Sequence, residues 1–188
     1  SMLYRQMFYL PVLLAIFFAF ALLTLSATSQ AASATEIDIK VDEALKRFKS
    51  EVSGGDRFLE QAKGVLVFPD VIKAGFGIGG EYGEGALRIG GNTVDYYNTA
   101  GASIGFQLGA QQKTVILVFM NEQALKQFRE SEGWKAGVDG SVAVVEWGVG
   151  EDINTTDIKD PIVGFVFSNK GLMYNLTLEG AKFTKISK

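Results

Sequence analysis

The stretch KAGFGIGGEYGEGALRIGG, residues 73–91, decides how this chain is read. Gly75, Gly77 and Gly80 fit G-x-G-x-x-G, the spacing of a phosphate-cradling loop. Such a loop needs a strand before it and a helix opening on the third glycine, whose first amides hold the phosphate. Here the third glycine runs into EYGEGALRIGG, which holds four more glycines. Each would cost a helix about 1 kcal/mol relative to alanine. No G-K-[ST] follows, and neither HRD nor DFG occurs in the chain. A nucleotide loop of either common kind is therefore not expected.

Period two accounts for the same residues. In a strand, Gly75, Gly77 and Gly79 share one face and Phe76 and Ile78 the other. GASIGFQLGAQ repeats the arrangement, with Gly101, Ser103, Gly105, Gln107 and Gly109 on one face and Ala102, Ile104, Phe106, Leu108 and Ala110 on the other. Glycine weakens a strand, so its repeated use predicts close approach by another layer or sharp coiling of the sheet. An open groove for an acyl chain also fits.

Outward from this stretch, strands dominate. GVLVFP is a short apolar run ended by Pro69, and GALRI and TVDYYN flank the hairpin signal Gly90-Gly91-Asn92. KTVILVFM is apolar on both faces, and two further runs flank Ser168-Asn169-Lys170-Gly171. Residues 36–53 read as a helix whose apolar face is Ile37, Val41, Ala44, Leu45, Phe48 and Val52. Thr35 is its expected N-cap and Gly54-Gly55 its stop. A short helix over about 56–62 follows, and NEQALKQFRESEG gives another, capped by Asn121 with Ala124, Leu125 and Phe128 facing inward. Eight or nine short strands joined by tight turns imply antiparallel neighbours. The expected fold is α+β: a mainly antiparallel, strongly curled sheet, sandwich- or barrel-like, with two to three covering helices.

The first 34 residues are set apart. Arg5 is their one charge, Leu10 to Leu25 are apolar, and SATSQAASA ends in Ala32-Ser33-Ala34. Charged start, apolar middle and small-residue end describe a secretory signal peptide cleaved near Ala34, with a single domain over 35–188. A retained anchor is the alternative, for which 16 apolar residues are short against the roughly 20 of a span. Removing Arg5 leaves 17 cations against 21 acids, so no basic excess invites nucleic acid. The chain has no Cys and no His. That leaves it without disulfides, without the usual zinc ligands and without Ser-His or Cys-His nucleophiles. No cofactor or metal is expected. Glu81 with Glu84 and Glu151 with Asp152 are the remaining carboxylate pairs for acid–base chemistry, which needs them to face each other.

Four blocks carry a resemblance: AKGVLVFPDVIKAGFGIGGEYGEGAL, TAGASIGFQLGAQ, GWKAGVDGSVAVV and DPIVGFVFSNKGLMYNLTLEGAKF. Together, over residues 36–186, the chain resembles the SYLF lipid-binding domain family, which includes exported bacterial proteins and eukaryotic proteins linked to phosphoinositides and actin patches. The resemblance implies a non-enzymatic domain of the bacterial envelope, periplasmic or envelope-associated, whose partner is phospholipid or a membrane surface. In eukaryotic relatives a basic amphipathic segment at the domain's start binds lipid. The matching helix here offers Lys40, Lys46, Arg47 and Lys49, diluted by acids, and the K-x-G-F block adds Lys73. Lys182, Lys185 and Lys188 are a second basic group. The competing expectation is an envelope scaffold without a lipid ligand, using Trp134, Trp147, Tyr96 and Tyr97 as interface anchors.

Overall fold

A computed structural model describes residues 32–105, 111–145, 159–173 and 177–188, with backbone alone at 74–78, 102–105 and 111. Trp147, Glu151, Asp152, residues 106–110 and the leader up to residue 31 lie outside the described residues. The described residues form three helices, α1 (Ala34–Glu51), α2 (Gly55–Gln61) and α3 (Glu122–Glu130). They also form eight strands: β1 (Gly64–Ile89), β2 (Asn92–Gly105), β3 (Gln111–Phe119), β4 (Trp134–Lys135), β5 (Ala143–Val144), β6 (Ile162–Ser168), β7 (Gly171–Leu172) and β8 (Lys182–Ile186).

The glycine-rich stretch is extended throughout. It lies inside β1, a single strand of 26 residues where the sequence predicts several short ones. Pro69 does not end it. The β1–β3 register slips between Phe68 and Val71, so the residue without an N–H sits in a bulge where the ladder is already broken. Up to Lys73 β1 pairs with β3, and from Gly77 onward with β2. The strands run in the order β4-β8-β2-β1-β3-β6-β5, with β7 beside β6. Every pairing is antiparallel except β5–β6. The β1–β2 turn is the expected Gly90-Gly91, with φ of 59° and 82°. Both values lie in the left-handed region that a tight hairpin turn uses and glycine adopts freely.

The coiling expected from the glycines is visible at Gly83 and Gly85. A Cβ at Gly83 would sit 2.8 Å from the Asp70 carbonyl oxygen. One at Gly85 would overlap the Val67 carbonyl oxygen and come within 2.8 Å of the Phe68 ring. β1 thus bends so far that its second half lies against its first. Gly80, the third glycine of the apparent phosphate motif, is different, with its nearest neighbour at 3.7 Å.

Alternation along the curled sheet divides the core in two. Val65, Val67, Ala86, Ile116, Val118, Phe165 and Phe167 pack on one face against Ile37, Val41, Ala44 and Phe48 of α1. Leu66, Phe68, Leu87, Tyr97, Leu117 and Phe119 fill the other face, closed by Leu125 and Phe128 of α3 and by Trp134 and Phe183. Among the described residues, both faces of the sheet are thus covered by packed side chains. Asn121 caps α3 as expected, its Oδ1 accepting from the Ala124 amide at 2.7 Å. For α1 the cap is Ser33, two residues before the expected Thr35; its hydroxyl accepts from the Glu36 amide at 3.1 Å.

Candidate functional site

Helix α1 carries most of the candidate cations, and its geometry decides which can act outward. Its buried stripe fixes the rotation, and the flanks then fall at i, i+4 and i+7 on either side. Lys40 and Arg47 lie on one flank. Lys46 and Lys49 lie on the other.

The first flank borders a cleft of about 510 Å³ lined by Lys40, Arg47, Asp70, Lys113, Thr114 and Ser168. Each cation in it is engaged. Lys40 Nζ donates to Asp70 at 2.6 Å, and that bond raises the lysine pKa above its ordinary value. Arg47 Nε meets Glu51 at 2.6 Å, its Nη2 donates to the Ser168 carbonyl at 2.6 Å, and its guanidinium lies 5.3 Å from the Phe167 ring centre. Lys113 pairs with Glu81 at 2.8 Å. These contacts tie α1 to β1 and to the β6–β7 turn, so Lys40 and Arg47 hold the helix on the sheet.

The second flank borders a cleft of about 580 Å³ between α1, α2 and the β1–β2 turn. Leu45, Leu59, Ala62 and Val65 line it together with Lys46, Lys49 and the acids Asp42, Asp56 and Glu60. Lys46 is exposed. Lys49 faces Asp56 at 3.4 Å with both side chains half or more exposed, a pairing of little strength in water. Ile39, seven residues before Lys46 and so on the same line of the helix, is 55% exposed. Arg88 at the cleft's inner wall is engaged, with Nη1 on Asp42 at 2.7 Å and Nη2 on the Asp38 carbonyl at 3.2 Å. Asp38 also accepts from Thr93 and from Tyr96, which pins the start of α1.

The other predicted residues do not join this group. Lys73 is half-buried on β1 opposite Gln111 and lines neither cleft. Lys182 is exposed on β8, and Lys185 pairs with Asp95 at 3.6 Å. Lys188 pairs with Glu84 at 2.8 Å, the two side chains only 9% and 13% exposed. Glu81 and Glu84, candidates for a carboxylate pair, are thus each held by a different lysine. Trp134 and Tyr97 are core residues, 2% and 1% exposed, so neither is a surface anchor. Sequence reasoning missed Ile39 and the apolar wall from α2. Counting cations gave no hint of either, although an isoleucine off the buried stripe was a signal available in the helix pattern.

Several groups in the fold hold their protons unusually tightly. Burial raises the phenol pKa of Tyr97, and burial followed by the Asp38 hydrogen bond raises that of Tyr96. The Tyr97 hydroxyl is buried without a hydrogen-bond partner among the described residues. In the unfolded chain these phenols ionise near pH 10. Between that pH and the folded values the unfolded state binds fewer protons, so stability falls as pH rises. Lys40, with its raised pKa, acts in the same direction. Stability should be full below about pH 10 and fall above it, by up to about 1.4 kcal/mol per pH unit from Tyr97 alone. Urea titrations between pH 8 and 11.5 check this. Tyr97→Phe should flatten the alkaline fall and, at neutral pH, match or exceed the parent by up to about 1 kcal/mol; a large loss would show that the hydroxyl is bonded.

Residues 100–188 match the Ysc84 family model, described as Las17-binding protein actin regulator. The match agrees with the resemblance read from the sequence blocks. It takes in the end of β2 and all of β3 to β8, while α1 and β1 precede it. No curated protein matches the chain.

Proposed function

We propose, from a chain whose residues 100–188 match the Ysc84 family model, that this is a non-catalytic lipid-binding protein that is exported and lays α1 against an anionic phospholipid surface. The observation that carries the proposal is the outer flank of α1. There Ile39 is exposed, and Lys46 and Lys49 line a cleft that holds Leu45, Leu59, Ala62 and Val65 beside the acids Asp42, Asp56 and Glu60. Apolar contact by Ile39 and the cleft wall would combine with phosphate contacts by Lys46 and Lys49. Among the described residues no helix is long and apolar enough to cross a membrane. The Las17 and actin roles in the family's description are cytoskeletal, and an exported chain would not meet those partners.

Pelleting with vesicles tests this. Binding to phosphatidylglycerol-rich vesicles should exceed binding to phosphatidylcholine vesicles and weaken with salt. Each lysine near an anionic surface contributes about 1 kcal/mol, so Lys46→Ala with Lys49→Ala should weaken binding about 30-fold. Lys126→Ala, on α3, should change nothing. Absence of binding to both vesicle types overturns the proposal and leaves the scaffold expectation, for which reproducible in-cell cross-linking to one protein is the positive result.

A further inference from the structure

We propose that the cleft between α1 and α2 holds a phospholipid with an ethanolamine headgroup, its phosphate on α1 and its ammonium on α2; this deepens the lipid reading above and rests on it. The acids of the cleft are what an anionic surface leaves unexplained. Lys46 and Lys49 suit such a surface, yet Asp42, Asp56 and Glu60 line the same cleft. A purely anionic lipid would meet them unfavourably.

Asp42 has a structural use, because it accepts from Arg88 Nη1 at 2.7 Å. Asp56 and Glu60 do not. They stand four residues apart on α2 and share one side of it, as Lys46 and Lys49, three apart, share one side of α1. Lys49 lies 3.4 Å from the Asp56 carboxylate, so the cationic row and the acidic row face each other. That contact is loose, with the Asp56 side chain 67% exposed. Glu60 is exposed and makes no ion pair or hydrogen bond among the described residues. Leu45, Leu59, Ala62 and Val65 supply the apolar lining of the same cleft.

A cationic row, an acidic row and an apolar wall match a zwitterionic amphiphile part for part. Phosphate oxygens accept from the lysines, a primary ammonium donates hydrogen bonds to the carboxylates, and an acyl chain covers the apolar wall. A choline headgroup fits less well. Its quaternary nitrogen carries no N–H, and sites that hold it use aromatic rings. None of the described residues lining this cleft is aromatic. The volume, about 580 Å³, falls within the roughly 300–1,000 Å³ of small-ligand sites.

Calorimetric titration of the protein with palmitoyl lysophosphatidylethanolamine and palmitoyl lysophosphatidylcholine, both below their micelle-forming concentrations, tests the headgroup without differences in bilayer packing. The ethanolamine lipid should bind about 3- to 10-fold more tightly, the worth of one net hydrogen bond. Equal affinities overturn the headgroup assignment, while binding to phosphatidylglycerol vesicles keeps the surface reading; no binding to lysolipid or vesicle overturns both. Phosphoethanolamine without a chain should bind at least about 10-fold more weakly than its lysolipid; equal binding would make the ligand the free headgroup and overturn the lipid assignment. Asp56→Asn with Glu60→Gln should bring the ethanolamine lipid down to the level of the choline lipid, and leave phosphatidylglycerol vesicle binding unchanged or stronger. Glu60→Gln alone, which keeps the first-turn acid of α2, should go part of the way. Loss of all three ligands together would mean a structural role, and no change would mean that these carboxylates touch no ligand; either result overturns the proposal. Lys46→Ala with Lys49→Ala should weaken both lysolipids alike, since both carry the phosphate. A loss confined to one of them overturns the placement of phosphate on α1.

Discussion

Gly85→Ala is expected to cost about 3 kcal/mol or more and to leave little folded protein. The added methyl would overlap the Val67 carbonyl oxygen and crowd the Phe68 ring. A carbonyl in a paired strand cannot rotate away as a side-chain tip can. Relief would need the two halves of β1 to separate, and with them the register that joins β3, β1 and β2. Overpacking of a well-filled interior costs about 1–3 kcal/mol when side chains can adjust, and occasionally more; here backbone must move. The control is Gly80→Ala. Its methyl would meet nothing closer than 3.7 Å, so stability should stay within about 0.5 kcal/mol or rise slightly from the stiffer unfolded chain. Denaturant unfolding of both variants reads the difference. Equal stabilities would mean that β1 does not fold back on itself as described.

Phe128→Ala should be nearly as damaging, at about 3–5 kcal/mol. Phe128 is fully buried, and its ring centre lies 5.1 Å from Tyr97, 4.9 Å from Phe119, 5.3 Å from Trp134 and 6.0 Å from Phe183. Those rings come from β2, β3, β4 and β8, so one side chain of α3 joins four strands. Truncation leaves a void that rigid neighbours cannot fill. Tm should fall by roughly 6–20 °C, and near-ultraviolet dichroism from Trp134 should weaken with it. A loss under about 1 kcal/mol would show that α3 only covers the sheet and is not a closing element of the inner core.

Much of the fold was legible in the residues. The apolar stripe from Ile37 to Phe48 predicted α1 and the face it buries, Asn121 predicted the start of α3, and Gly90-Gly91 predicted the hairpin. These signals are local: a cap, a turn and a helical period each act within a few residues. Strand length was less legible. Pro69 reads as a stop because it lacks an N–H, yet a bulge in the β1–β3 pairing absorbs that loss, and only the partner strand reveals the bulge. At the candidate site, the sequence grouped the four cations of α1 together, and their division came only with the fold. Lys40 and Arg47 look like Lys46 and Lys49 in sequence; what separates them is Asp70 and Ser168, which come from distant strands.

The residues by themselves determined that the opening glycines belong to extended backbone, because helix could not tolerate so many and alternation placed them on one side. They also determined the absence of thiol and imidazole chemistry, which depends only on composition. Tertiary structure alone decided which glycines are indispensable: Gly83 and Gly85, where backbone crosses backbone, and not Gly80. It likewise decided which lysines are spent on holding α1 and which face outward. Both outcomes depend on contacts between segments far apart in the chain, and a linear pattern carries no distance between them.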